Sequence, residues 1–240
     1  MKYFIVTDVH SCYDELIQTL TAYGFDIDND EHHFVSCGDL LDRGPKPLET
    51  LKFVTSIPTH RRHFVYGNHE ELMQNMIHRN YPLMYDYHNG TAWTIAYAIG
   101  GTEVVTDSDI KKFAELPEWK RYINECVNYI EIGDFICVHG WIPCAEKYDH
   151  YYPYDDWKQH DFNEGRWYNG MNAWLDGVRV PDKTIVCGHM FARYGHRHIH
   201  EDELIDETKP FIDDGIIAMD SRVFRTHKLN CLVKELYTHE

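Results

Sequence analysis

Three times in its first eighty residues the chain passes from a short apolar run, through a polar loop, into a segment whose apolar residues recur at helical spacing. Tyr3-Phe4-Ile5-Val6 delivers Asp8-Val9-His10, after which Tyr13, Leu16, Ile17 and Leu20 predict a helix with Ser11 as N-cap and Gly24 as its stop. His33 to Cys37 delivers Gly38-Asp39-Leu40-Leu41-Asp42-Arg43-Gly44, and a helix entered at Pro45 or Pro47 follows through Leu48, Leu51, Phe53 and Val54. His63 to Tyr66 delivers Gly67-Asn68-His69-Glu70 and a helix through Met73, Met76 and Ile77. Continuous apolar runs mark strands covered on both faces. Consecutive strand-loop-helix units require parallel strands with right-handed crossovers, which brings all three polar loops to one edge of the sheet. Gly38 and Gly44 bracket the most charged of these loops and let backbone come close to Asp39, a carboxylate placed to bridge two cations.

The remainder is read as excursions on one domain spanning 1–240. Tyr87 to Ile99 and Asp109 to Val127 have helical patterns, the second interrupted at Pro117, so 81–127 is a helical excursion without assigned chemistry. Tyr129 to Ile132 and Phe135 to Val138 flank Gly133-Asp134 as a hairpin that ends in His139-Gly140. The stretch 141–174 is crowded with aromatics and either rims a substrate cleft or packs on itself. Thr184 to Cys187 is a strand ending in Gly188-His189, and Ile216 to Asp220 and Leu229 to Val233 read as closing strands. His196, His198 and His200 alternate as on an exposed strand, a solvated edge in preference to a third metal site. Asp220, at a strand end, is placed to support the site without being a ligand.

A chain of 240 residues suffices for one well-buried core. Its formal net charge of -16 opposes general binding to a nucleic-acid backbone, and bound metal would consume part of it. No run approaches the roughly 20 apolar residues of a membrane span, and the apolar start is too short for a signal peptide, so a cytoplasmic protein is expected. Seven scattered cysteines without a C-x-x-C pair fit reduced thiols. Cys37, Cys137 and Cys187 each precede a candidate ligand by two residues; they read as small buried hydrophobes beneath the site, with sensitivity to oxidation a minority reading.

Five strand ends thus carry Asp8 and His10, Asp39, Asn68 and His69, His139, and His189. Imidazole and carboxylate donors in this number suit two divalent ions of borderline character, manganese first, with iron or zinc as alternatives to it, and not calcium. The set Asp-x-His, Gly-Asp-x-x-Asp-Arg-Gly, Gly-Asn-His-Glu, His-Gly and Gly-His resembles the calcineurin-like metallophosphoesterases, within them the phosphoprotein phosphatase branch that includes Ser/Thr/Tyr phosphatases and dinucleoside tetraphosphate hydrolases.

The resemblance implies an α/β fold of two mixed β-sheets packed as a sandwich and flanked by helices. It implies that Asp8 and His10 hold one metal, that Asp39 bridges, and that Asn68, His139 and His189 complete the second. Arg43, Arg166 and the Asn68 amide would bind phosphate, Arg179 being a weaker match than Arg166. A hydroxide shared by the metals would attack phosphorus while His69, oriented by Asp42, protonates the leaving group. The leading activity is hydrolysis of phosphomonoesters as a Ser/Thr or dual-specificity protein phosphatase, on a phosphorylated protein or small phosphoester. The alternatives are a dinucleoside polyphosphate or nucleotide hydrolase, and an inactive metal-bearing interaction subunit. The chain departs from the family at Thr7, Ser11 and Trp141, where glycine is usual; Met190-Phe191 after His189 favours the phosphatase-like branch.

Overall fold

The structure, a computed structural model, describes residues 1–101, 104–200 and 206–237. In chain order the elements are β1 (Lys2–Val6), α1 (Tyr13–Ala22), β2 (His32–Ser36), α2 (Pro47–Ser56), β3 (Arg62–Val65), α3 (Asn68–Arg79), α4 (Met84–Asn89), α5 (Thr91–Ile99), α6 (Asp107–Ala114), α7 (Pro117–Glu125) and β4 (Cys126–Val127). There follow β5 (Ile130–Ile132), β6 (Phe135–Cys137), β7 (Cys144–Lys147), β8 (His150–Pro153), α8 (Gly170–Leu175), β9 (Thr184–Cys187), α9 (Ala192–His198), β10 (Phe211–Asp213), β11 (Ile216–Ala218), α10 (Val223–Thr226) and β12 (Leu232–Glu235).

Two five-stranded mixed sheets, ordered β12-β1-β2-β3-β4 and β10-β11-β9-β6-β5, form the centre. Strands β1 to β4 run parallel and β12 antiparallel to β1; in the second sheet β6, β9 and β11 are parallel and the edges β5 and β10 antiparallel. The alternation of a strand decides which side chain enters which layer. Phe4, Phe34 and Phe64 pack with Leu16, Leu51 and Ile95 of the helices on the outer side of the first sheet. Ile5, Val35 and Val65 turn the other way and meet Ile132, Cys137 and Val186 of the second sheet. The far face of that sheet is covered by Trp141, Met171, Trp174 and Phe211. Three apolar layers therefore separate helix, sheet, sheet and helix, as the motifs imply.

Local departures have local causes. The helix expected over 87–99 is broken at Gly90 (φ +95°) into α4 and α5. Ser11 does not cap α1; Cys12 occupies the N-cap without a side-chain bond. Cys126–Val127 leaves the helix to become β4, pairing with Phe64 and Val65, and β12 begins three residues later than the apolar run that predicted it. His196 to His200 is not a strand: α9 carries His196 and His198, Gly195 lying tight against the Phe211 ring. Of these imidazoles, buried His196 bonds the Lys209 carbonyl, His198 packs on Tyr194 and His200 pairs with Asp213, so the three do not converge on an ion.

Candidate metal centre

Because β1, β2 and β3 lie side by side, and β6 and β9 lie side by side across the sandwich, the loops that follow these strands meet at one edge. They do so in unusual backbone. Asp8, His10, Asp39, Asp42, Arg43 and His189 all hold left-handed conformations, with φ from 49° at Asp8 to 72° at Asp42. Such strain at non-glycine positions persists where surrounding structure fixes it, and it clusters at functional sites. At Gly38 (φ +84°) a side chain is excluded altogether, since a Cβ would lie 2.7 Å from the His139 ring.

Two donor clusters result: His10 with Asp39 and His69, and Asp39 with His139 and His189, the atoms of each lying within 4.8 Å of one another. Asp39 belongs to both. Asn68 adds its amide, 2.8 Å from His139 Nε2 and 3.0 Å from His189 Nδ1. Asp8 lies in neither cluster, its carboxylate accepting the His189 backbone N–H at 3.1 Å and the Thr7 hydroxyl, and His69 stands in the first cluster where the motif assignment put Asp8.

The donors suit cations. His10 Nδ1 donates to the Leu41 carbonyl and His139 Nδ1 to that of Cys37, both at 2.9 Å, so each ring turns Nε2 toward the centre. Burial, with Asp39 nearby, pushes the Asp8 carboxyl up to about 6, although His139 pulls it down. Burial opposes a proton on His139, yet Asp39 and Asp8 hold its imidazole up at about 10. A buried, carboxylate-rich pocket that draws in a proton so strongly fits divalent metal, which would displace that proton on binding. His10, Asp39 and His69, and Asp39, His139 and His189, are the groups that could hold it, with Asn68 and Asp8 close by.

Beside the first cluster, His69 Nδ1 donates to Asp42 at 2.7 Å, while Arg43 places Nη2 3.0 Å from His69 Nε2 and Nη1 3.2 Å from His10 Nε2. Burial would lower the His69 pKa, but the charges of Asp39 and Asp42 overcome it and raise it. Residues that sequence reading did not assign complete the framework. Thr91 and Thr94 donate to Asp42 at 2.7 and 2.8 Å, tying α5 to the acid. Glu70 accepts the backbone N–H groups of Asp39, Leu40 and Gly67, and Tyr122 of α7 donates to its other side at 2.8 Å.

The sequence matches the family described as calcineurin-like phosphoesterase over residues 1–228. The chain belongs to this family. Among curated relatives it is similar to the symmetrical bis(5'-nucleosyl)-tetraphosphatase of Pasteurella multocida, 26% identical over 88% of this chain and 74% of that protein. It is also similar to the asymmetrical bis(5'-nucleosyl)-tetraphosphatase of Bacillus velezensis, 36% identical over 29% of this chain and 30% of that protein. The latter match thus spans under a third of the relative's length. The fold is shared with a cold-active protein-tyrosine phosphatase from a Shewanella species, at a TM-score of 0.55, 17% identity and coverage of 98% and 75% of the two chains.

This calcineurin-like chain accommodates its departures from the usual glycines structurally. The Thr7 hydroxyl bonds Asp8 and the Cys37 carbonyl, and Trp141 is buried in the outer core with its indole N–H on the Val178 carbonyl. Ser11 is buried and its hydroxyl has no partner among the described residues. Arg166 is held by Glu71 at 2.9 Å and lies over the Tyr66 ring, while the neighbouring Trp167 ring reaches within 6.1 Å of His189. Arg179 instead stacks on Trp174, a residue of the outer core. Asp220 is buried at the metal edge, bonded to the Arg222 N–H, and burial, followed by the Asp8 charge, raises its pKa well above the carboxylate range. Cys37, Cys137 and Cys187 are buried free thiols; a hydrogen bond with Cys137, followed by burial, raises the Cys37 thiol pKa well above its usual value.

Proposed function

We propose that the protein is a two-metal phosphoesterase whose substrates are nucleotides and dinucleoside polyphosphates. The observation that carries the hydrolytic reading is the His69–Asp42 pair, 2.7 Å apart, set beside donor clusters that share Asp39. Divalent ions there, with manganese the first choice and iron or zinc also suited to these donors, supply Lewis acidity that makes water nucleophilic at neutral pH and draws charge from the phosphoryl oxygens. The residues do the rest. Arg43 offers planar paired donors to the transferring phosphoryl group, Arg166 is the second guanidinium turned toward that edge, and Asn68 supplies an amide. His69, oriented by Asp42 and with its pKa raised by Asp39 and Asp42, would give a proton to the departing oxygen.

The substrate class rests on two supports. The curated relatives cited are bis(5'-nucleosyl)-tetraphosphatases. Beside His189, exposed Trp167 lines a cleft of about 790 Å³ with Tyr148, Tyr151 and Tyr168, together with carboxylates such as Glu146 and Asp149. Aromatic faces suit a base, and carboxylates suit its amino groups. The inactive-subunit reading is disfavoured because every candidate donor and the acid are present. Free thiols accord with a cytoplasmic site of action.

The test is turnover of manganese-loaded protein on diadenosine tetraphosphate, p-nitrophenyl phosphate and a phosphopeptide, with products separated by chromatography. The dinucleotide should be cleaved with the highest kcat/KM, and His69→Asn should lose at least a hundredfold in kcat on it. Preference for the phosphopeptide would reinstate the protein-phosphatase reading, and undiminished turnover in the variant would remove His69 as the acid.

A further inference from the structure

On the His10 side, the metal edge is bordered by α10 and the turn that leads into it. Phe224 packs edge-on against the His10 ring, 5.4 Å between centroids, and two guanidiniums share this phenyl: Arg43 at 4.8 Å and Arg225 at 5.8 Å from its centroid. Three residues earlier in the chain, Arg222 lies over Phe191, two positions beyond His189, at 4.3 Å. A cleft of about 100 Å³ opens between Phe191, Arg193, Asp220, Arg222 and Arg225.

Three observations bear on these arginines. Arg222 holds φ 58° and ψ 49°, a conformation costly for a side chain of its size, and nothing in the turn itself requires an arginine there. Its Nε is buried without a partner among the described residues. Six other arginines, Arg62, Arg79 and Arg166 among them, are ion-paired in this strongly acidic chain, whereas Arg222 and Arg225 have no carboxylate within ion-pair distance among the described residues. Glu207, which also lines the cleft, is already shared by Arg193 and Arg197. Positive charge concentrated beside the catalytic edge of a chain with net charge -16 is placed for an anionic ligand. Burial and then the charge of Arg225 lower the Arg222 pKa; Asp220 opposes them, and Arg193 and Arg43 add to the lowering.

We propose that Arg222 and Arg225 form an anion subsite, contiguous with Arg43 across Phe224, that holds the phosphate adjacent to the one at the metal centre. The subsite rests on the reading of that centre as a phosphoester site, and it makes phosphoanhydride chains better ligands than isolated phosphomonoesters. Guanidinium forks are matched to such oxygens, and more than one beside the metal centre would distinguish a chain of phosphates from a single one.

The experiment is calorimetric binding of ADP and AMP to the manganese-loaded full chain, wild type against Arg225→Gln and Arg222→Gly. Glycine adopts φ 58° freely, so the second variant should fold and melt at or above the wild-type temperature. Wild type should bind ADP at least tenfold more tightly than AMP, and each variant should reduce that ratio by fivefold or more. In turnover the variants should lose more kcat/KM on diadenosine tetraphosphate than on p-nitrophenyl phosphate. An ADP-to-AMP ratio within twofold of wild type in both variants overturns the subsite. Binding is read without turnover: a protein that cleaves neither ester but loses its diphosphate preference in the variants refutes the hydrolase and supports the subsite.

Discussion

At the scale of single residues, the site is governed by how few charges are left to water. Asp42 is fully buried and accepts from His69, Thr91 and Thr94, so its carboxylate has no role except to hold and charge that imidazole. The His69 pKa is raised because Asp39 and Asp42 outweigh burial. A general acid must carry its proton, so kcat should fall as pH rises through this raised value. Replacing Asp42 by Asn keeps the shape and removes one charge. The alkaline limb of the pH–kcat profile should then move to lower pH by on the order of one unit, since a contact of about 1.4 kcal/mol equals one pKa unit. An unmoved limb would mean that Asp42 is merely structural.

The same residue shows what the sequence could not disclose. Asp8, His10, Asp39, Asn68, His139 and His189 stood out because each follows an apolar run and most adjoin glycine, a signal local to a few positions. Thr91 and Thr94 lie about fifty residues from Asp42 and sit among Ala92, Ile95 and Ala96 in what reads as an ordinary apolar helix. Their one local signal was two hydroxyls three residues apart on the buried face, following Gly90. Glu70 was written into the Gly-Asn-His-Glu motif, but its three backbone donors lie on two loops that only the fold brings together.

At the scale of elements, continuous apolar runs made β1, β2 and β3 legible, because each is buried on both faces and bounded by polar loops. The recurrence of histidine at 196, 198 and 200 misled: the histidines alternate, but Ala192 and Gly195 are spaced for a helix packed on Phe211. Alternation also put His33 and His63 on the intersheet side of β2 and β3, 3.2 Å apart and stacked with Tyr3. Burial, then the neighbouring His33, pushes the His63 pKa down to about 4. For a base with a depressed folded pKa, the unfolded chain takes up the proton first as pH falls below about 6.5. Stability is therefore complete above that pH and lost toward 4. Discounted for the partial solvent access of His63, the loss between pH 7 and 5 should be about 1 kcal/mol. Urea unfolding at the two pH values should show His63→Gln losing less than wild type by that amount; equal losses would place the acid sensitivity elsewhere.

At the scale of the whole molecule, the two sheets share one apolar layer and the loops of both build the metal edge, so neither sheet is complete without the other. We propose that the chain unfolds as one domain. Its charge makes this cohesion conditional. Asp8, Asp39, Asp42, Glu70 and Asp220 are all buried near one edge, and burial raises the carboxyl pKa values of Asp8, Glu70 and Asp220. Their repulsion opposes the folded state, while cations that bind only the folded chain oppose unfolding by mass action. A free metal concentration about a hundred times its Kd stabilises by roughly 2.7 kcal/mol. For a chain of this length that corresponds to about 5–10 °C in Tm. Removing metal with a chelator should therefore lower a single melting transition by that interval, and manganese should restore it. Asp39→Asn removes the carboxylate common to both clusters, so this variant should melt at nearly the same temperature with or without manganese. If its metal-dependent shift stays as large as that of the wild type, the stabilising ions bind elsewhere on this acidic surface and the site assigned to the strand ends is wrong.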